Sequence, residues 1–179
     1  LEFRRVLFRS NMGLARARLD DAGPILCLDL KLVSTVSVDT KVVRKSSNEL
    51  RRAAELVAEL RAFCAGADFA IAEVPSGSQS AGAARALGIA VGVLASCPIP
   101  IIEVSPREVK LASIGTTTAS KTEIIQWAVS QWPAAPWLRV KRKGSMQLTA
   151  SNEHLADAMA TIKAGLASSE YQKLRAMRN

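Results

Sequence analysis

The sequence predicts one layered α/β domain. Three observations carry this. Short apolar runs of strand length alternate with segments of helical period, no repeat period is visible, and 179 residues suffice for one sizeable core but hardly for two. With 49% hydrophobic and 22% charged residues, the chain is too apolar for intrinsic disorder and has no collagenous or low-complexity character.

The elements follow in order. Residues 1–10, LEFRRVLFRS, resemble the translation of a sequencing adapter: Glu2 to Ser10 back-translate codon by codon into such an oligonucleotide. They are set aside from the fold as foreign to it. Residues 11–23 form a lead-in, 24–168 the domain and 169–179 a C-terminal tail. Pro24 to Leu30 (PILCLDL) is an apolar run with one acid near its end, and Val33 to Val38 alternates apolar with hydroxyl residues as a half-buried strand does. Lys41 to Arg44 extends a hairpin. Ser46, Ser47 or Asn48 caps a helix from Glu49 to about Ala65, which Gly66 closes.

Phe69 to Val74 (FAIAEV) predicts a second buried strand, again with an acid near its end, and Ala81 to Ala95 a helix of small residues suited to a sheet face. No charge falls between Ala86 and Ile102, but Pro98 and Pro100 divide that stretch. It reads as a buried helix followed by a strand, Ile101 to Val104, and not as a membrane span. Pro106 opens a short helix, Ala119 to Trp132 makes another, and Pro133 and Pro136 stop it. Arg139, Lys141, Arg142 and Lys143 place four positive charges in a five-residue loop, and Ser151 or Asn152 caps a last helix to about Ala167.

The formal charge is +8, and removing residues 1–10 lowers it only to +6, so a polyanion is the first partner to consider. Cys27, Cys64 and Cys97 are scattered without metal-ligand spacing, which argues for a reducing compartment and against a disulfide framework. A single histidine, His154, excludes an ordinary structural zinc site. Trp127, Trp132 and Trp137 sit among apolar residues as core or dimer-contact groups. With only 4% aromatic residues, a binding module built on base stacking is disfavoured.

Asp29 and Glu73 each fall near the end of an apolar run, where a sheet delivers side chains to a shared edge. His154 and Asp157, three residues apart, project from one helical face. Taken singly, an acid after a strand serves as readily as a turn residue or helix cap, and a helical histidine as a surface or core group. Taken together, the carboxylates suit a hard cation such as Mg²⁺.

At this point the sequence resembles a family. FAIAEV and the following GSQSAGAARALGIAVGVL look like the second acidic strand and next helix of the Holliday-junction resolvase RuvC. PREVKLASIGTTTASKTEII resembles its R-x-V-K, glycine and lysine segment, and PILCLDL its first acidic strand. NEHLADAMA resembles its final helix in the H-x-x-D form of phage and prophage members. The chain departs from the family after Asp29, where Lys31, Leu32 and Val33 replace small residues, at Val36 where a glycine is expected, and in a short hairpin between Val38 and Ser47.

The resemblance implies an RNase H-like fold, a mixed five-stranded sheet flanked by helices. It further implies a crossover junction endodeoxyribonuclease that cuts four-way junctions and other branched DNA by two-metal hydrolysis. Asp29, Glu73 and Asp157 would hold two Mg²⁺ ions, with Mn²⁺ an acceptable substitute, and His154 would be the fourth ligand or proton-handling group. Lys110 and Lys121 would handle the DNA backbone, as would the 139–143 cluster by its charge. The two-fold symmetry of a junction and the family both imply a homodimer, in the cytoplasm of a bacterium or a phage-infected cell. The alternatives are another RNase H-like nuclease acting on hybrids or flaps, and a junction-binding protein that does not cut.

Overall fold

The computed structural model describes residues 2–4, 11–19, 24–38, 41–74, 77 and 80–178. Five strands form one mixed sheet: β1 (Glu2–Arg4), β2 (Asn11–Arg18), β3 (Leu26–Ser34), β4 (Ala70–Glu73) and β5 (Ile101–Val104), in the order β3-β2-β1-β4-β5. The first three strands pair antiparallel, and β1, β4 and β5 pair parallel. A second, two-stranded ribbon joins β6 (Arg139–Arg142) to β7 (Ser145–Leu148).

Period-two alternation sends successive side chains of each strand to opposite faces. Met12, Leu14, Val33, Ala70 and Ala72 pack against α1 (Lys45–Cys64) and α2 (Ala81–Ala95) through Leu56, Leu60, Phe63, Ala90 and Val93. On the other face, Ala15, Leu30, Ile71 and Ile102 meet α5 (Asn152–Ala167), with α3 (Pro106–Ile114) and α4 (Lys121–Gln131) beside it. Helix α5 is apolar nearly all round, with Leu155, Ala156, Ala158, Met159, Ala160 and Ile162 buried, as befits a helix covered on every side. The three tryptophans belong to this second core. Trp127 and Trp132 meet edge-to-face with centroids 5.6 Å apart, and the Trp137 indole donates to the Trp132 carbonyl.

Several expectations are corrected. The segment set aside as adapter-like supplies β1, the central strand, because strand pairing is made by backbone groups that any extended peptide offers. The lead-in supplies β2, with Met12 to Ala15 wholly or nearly buried. The two runs at 24–30 and 33–38 merge: β3 continues to Ser34, and Thr35 to Val38 carries no regular structure. Positions 39 and 40 of the expected hairpin lie outside the described residues, and 41–43 form a turn.

None of the three residues expected to cap α1 does so. Asn48 is buried instead, donating to Ser37 Oγ and accepting from Val38 N–H. The basic loop is β6 and the turn of the ribbon, in which Lys143 and Gly144 both take positive φ, 47° and 81°, as a tight two-residue hairpin turn requires. The C-terminal tail forms α6 (Ser169–Arg178). Among the described residues no helix is long and apolar enough to cross a membrane.

Candidate active site

Glu73 ends β4 and is wholly buried. Its neighbour two residues earlier, Ile71, lies against Gly165 of α5, so alternation puts Glu73 on the α5 face as well. Burying a carboxylate costs several kcal/mol of lost hydration, and a fold keeps one in such a place for chemistry more readily than for stability.

His154 and Asp157 lie three residues apart on α5, and His154 reaches the start of β2. Their helix approaches β2 at Gly13, where a Cβ would lie 2.1 Å from the His154 carbonyl oxygen. Only a glycine permits that approach. Asn11, at the start of β2, places its Nδ2 3.3 Å from His154 Nε2, while its Oδ1 accepts from the Ser34 hydroxyl at 2.7 Å. Glu153 Oε1 stands 3.6 Å from His154 Nε2, and its other oxygen pairs with Lys121 at 2.9 Å. Lys121, on the first turn of α4, is thereby brought to the mouth of the site with its side chain 79% exposed. Sequence reasoning missed Asn11 and Gly13. Their signal, a polar residue and a glycine two apart at a strand's start, lay in the segment taken for a lead-in.

Asp29 is not part of this arrangement. It lies on β3, at the sheet edge, opposite Arg16 of β2. Arg16 donates to the carbonyls of Phe63 and Ala65 at the end of α1 and lies 5.3 Å over the Phe63 ring. Residues directly opposite in an antiparallel pair share a face, so Asp29 lies on the α1 side. Three strand spacings, about 14 Å, separate β3 from β4, and three rungs, about 10 Å, separate Asp29 from the level of Glu73. The structure therefore does not bring Asp29 together with Glu73. The exposed carboxylate instead accepts from Leu30 N–H at 2.8 Å.

The remaining basic residues divide. Lys110 donates to the Thr117 carbonyl at 3.1 Å and braces the loop after α3. Arg139, Lys141, Arg142 and Lys143 are exposed on the ribbon. The base of that ribbon is fastened to α5 by Asn152, wholly buried, which accepts from Leu138 N–H at 2.9 Å and donates to the carbonyls of Leu138 and Thr149.

Solved structures share this architecture. The RuvC of Thermus thermophilus in complex with a Holliday junction substrate is 20% identical, with a TM-score of 0.59 over 90% of this chain and 88% of that one. The chain has the fold of RuvC. A second Thermus thermophilus RuvC structure matches over 97% of this chain and 94% of its own, at 19% identity and a TM-score of 0.57. No protein-family model and no curated protein matches the sequence.

A pair of divalent ions is what the resemblance to RuvC implies, and the side chains of the described residues do not fit it. Glu73 lies on the α5 face of β4, His154 and Asp157 lie on α5 itself, and Asp29 stands on the opposite face of the sheet. Among the described residues no three His, Cys, Asp or Glu side chains are grouped closely enough to hold a metal ion.

Proposed function

We propose that this protein acts on branched DNA as a RuvC-type junction endonuclease, directing one phosphodiester to the α5 face for hydrolysis. In that reaction a water oxygen bonds to phosphorus as the bond to the leaving sugar oxygen breaks, and the leaving oxygen takes up a proton. The observation that carries the reading is Glu73: a wholly buried carboxylate at the end of a parallel strand of a RuvC fold, facing the helix that presents His154 and Asp157. The ribbon supports it with four cations beside that helix, and Lys121 with a fifth at the mouth. Long-range attraction to phosphate then holds the DNA while the site selects the bond. A four-way junction has two-fold symmetry, so paired cuts call for two copies of the chain related by the same axis.

A gel-shift comparison of a four-way junction, a flap, an RNA–DNA hybrid and a linear duplex tests the reading. The junction is expected to bind tightest. Equal affinity for the linear duplex overturns it, and preference for the hybrid or flap selects the other RNase H-like reading.

A further inference from the structure

We propose that Met146, near the tip of the basic ribbon, seats against base faces that open at a branch point and so selects branched over linear DNA. The inference rests on the branched-DNA reading of the proposed function and deepens it by naming the side chain that makes the choice.

The ribbon is built for a polyanion. Between Arg139 and Asn152 the sequence holds four cations and no acid, and residues 139–147 are all exposed. A two-stranded hairpin standing clear of a core is marginal in water, so these residues contribute little to the fold and are free to serve a partner. Cross-strand pairing fixes which side chains share a face. Lys141 stands opposite Met146, and Arg139 opposite Leu148, so one face sets two cations beside two apolar residues. Leu148 packs against the core that α5 shares with α4. Met146 lies one pleat farther out, about 7 Å, with 58% of its surface exposed.

Cations alone do not distinguish a junction from a duplex, since both present the same phosphates. An apolar side chain does. In linear duplex the base faces are covered by their neighbours, and Met146 would meet only sugar and phosphate. At a branch point the stack ends, and flat aromatic faces become available to a side chain. Apolar wedges, methionine among them, open base steps in this way in proteins that bend DNA. Methionine suits the task through its unbranched, polarizable thioether, which adapts to an irregular gap and makes favourable contacts with aromatic rings. Lys141, directly across the ribbon, would hold the flanking phosphate while the thioether meets the base. Burying a methionine is worth about tenfold or more in affinity, and here it is gained only where the stack is broken.

The test uses the full chain, Met146→Ser and Met146→Leu, without added divalent ions. Affinity for a four-way junction and for linear duplex is read by gel shift across a salt series. An aminopurine base placed either at the branch or within an arm reports unstacking by its fluorescence. The unaltered chain should brighten the branch probe and leave the arm probe dark. Met146→Ser should bind the junction about tenfold more weakly, keep its duplex affinity and salt slope, and lose the brightening at saturating protein. Met146→Leu should retain most of both. Brightening that survives in Met146→Ser, or never occurs with the unaltered chain, overturns the proposal. So does an equal loss of junction and duplex binding. Loss of self-association in place of junction affinity overturns it as well, and seats a second copy on the ribbon. Equal affinity of the unaltered chain for junction and duplex instead sinks the branched-DNA reading, so the two failures are distinguishable.

Discussion

Gly13 and His154 meet backbone to backbone: a Cβ on Gly13 would stand 2.1 Å from the His154 carbonyl oxygen and 2.5 Å from its carbonyl carbon. No side chain separates β2 from α5 at this point, so the depth at which α5 docks is set by one missing methyl group. Gly13→Ala should displace the helix and cost about 3 kcal/mol, the upper range for overpacking, since the obstruction is backbone and has no rotamer to escape into. Urea denaturation measures it, and a loss below about 0.5 kcal/mol would show that α5 does not sit this close.

The three acids separate by position. Glu73→Gln and Asp157→Asn should each reduce metal-dependent nicking of the junction by more than the roughly tenfold typical of removing a group that merely orients a metal ligand. Asp29→Asn, at an exposed edge on the other face, should leave nicking, junction affinity and stability unchanged within about 0.5 kcal/mol. An Asp29 effect equal to that of Glu73 would contradict the register of β3.

Replacing Arg139, Lys141, Arg142 and Lys143 together by alanine should weaken junction binding and flatten its salt dependence, by about 0.9 in the log–log slope for each phosphate no longer neutralised. All four are exposed and on or at the turn of the ribbon, so the fold should survive. An unaltered slope would place the DNA elsewhere.

Helices α3 and α4 each begin with a reciprocal cap, Ser105 with Glu108 and Ser120 with Glu123. Hydrogen bonds from the serine side chain and backbone hold both glutamates below the usual carboxylate range. A carboxyl with a lowered folded pKa contributes stability above its unfolded value and loses it as pH falls through the folded one. Thermal melts of Glu108→Gln and Glu123→Gln should therefore differ from the parent at neutral pH and converge with it in acid. Ser105→Ala should cost about 1 kcal/mol, typical of a lost N-cap.

Burial, then the hydrogen bond and charge of Cys97 with sulfurs 3.6 Å apart, pushes the Cys64 thiol up to about 12. Its proton is held more tightly folded than unfolded, so its contribution to stability is present below the ordinary thiol pKa and falls as pH rises toward 12. At pH 8, iodoacetamide should label the partly exposed Cys27 and Cys97 before Cys64, and Cys64→Ala should flatten the alkaline limb of the stability curve. Equal labelling rates would contradict the burial.

Most helices and the strands β4 and β5 were legible because period and punctuation agree. Ala81 to Ala95 and Ile101 to Val104 fall where the apolar pattern and the prolines set them. The places of Glu73 on β4 and of His154 and Asp157 on α5 were legible for the same reason. Asp29 was not, because PILCLDL looks like a buried central strand while its place in the sheet is an edge, and strand order is a non-local property. The central strand was illegible for a different reason. Three residues held by backbone pairing on both sides leave no side-chain pattern, so β1 emerges only once its neighbours are in place.

Asn152 fastens the ribbon to α5 through three buried hydrogen bonds, two residues before His154. The exposed basic hairpin and the first turn of α5 are thus one joined piece of structure, which meets the sheet at Gly13. Asn152→Ala would remove that tie and leave the hairpin joined to the helix by the chain alone.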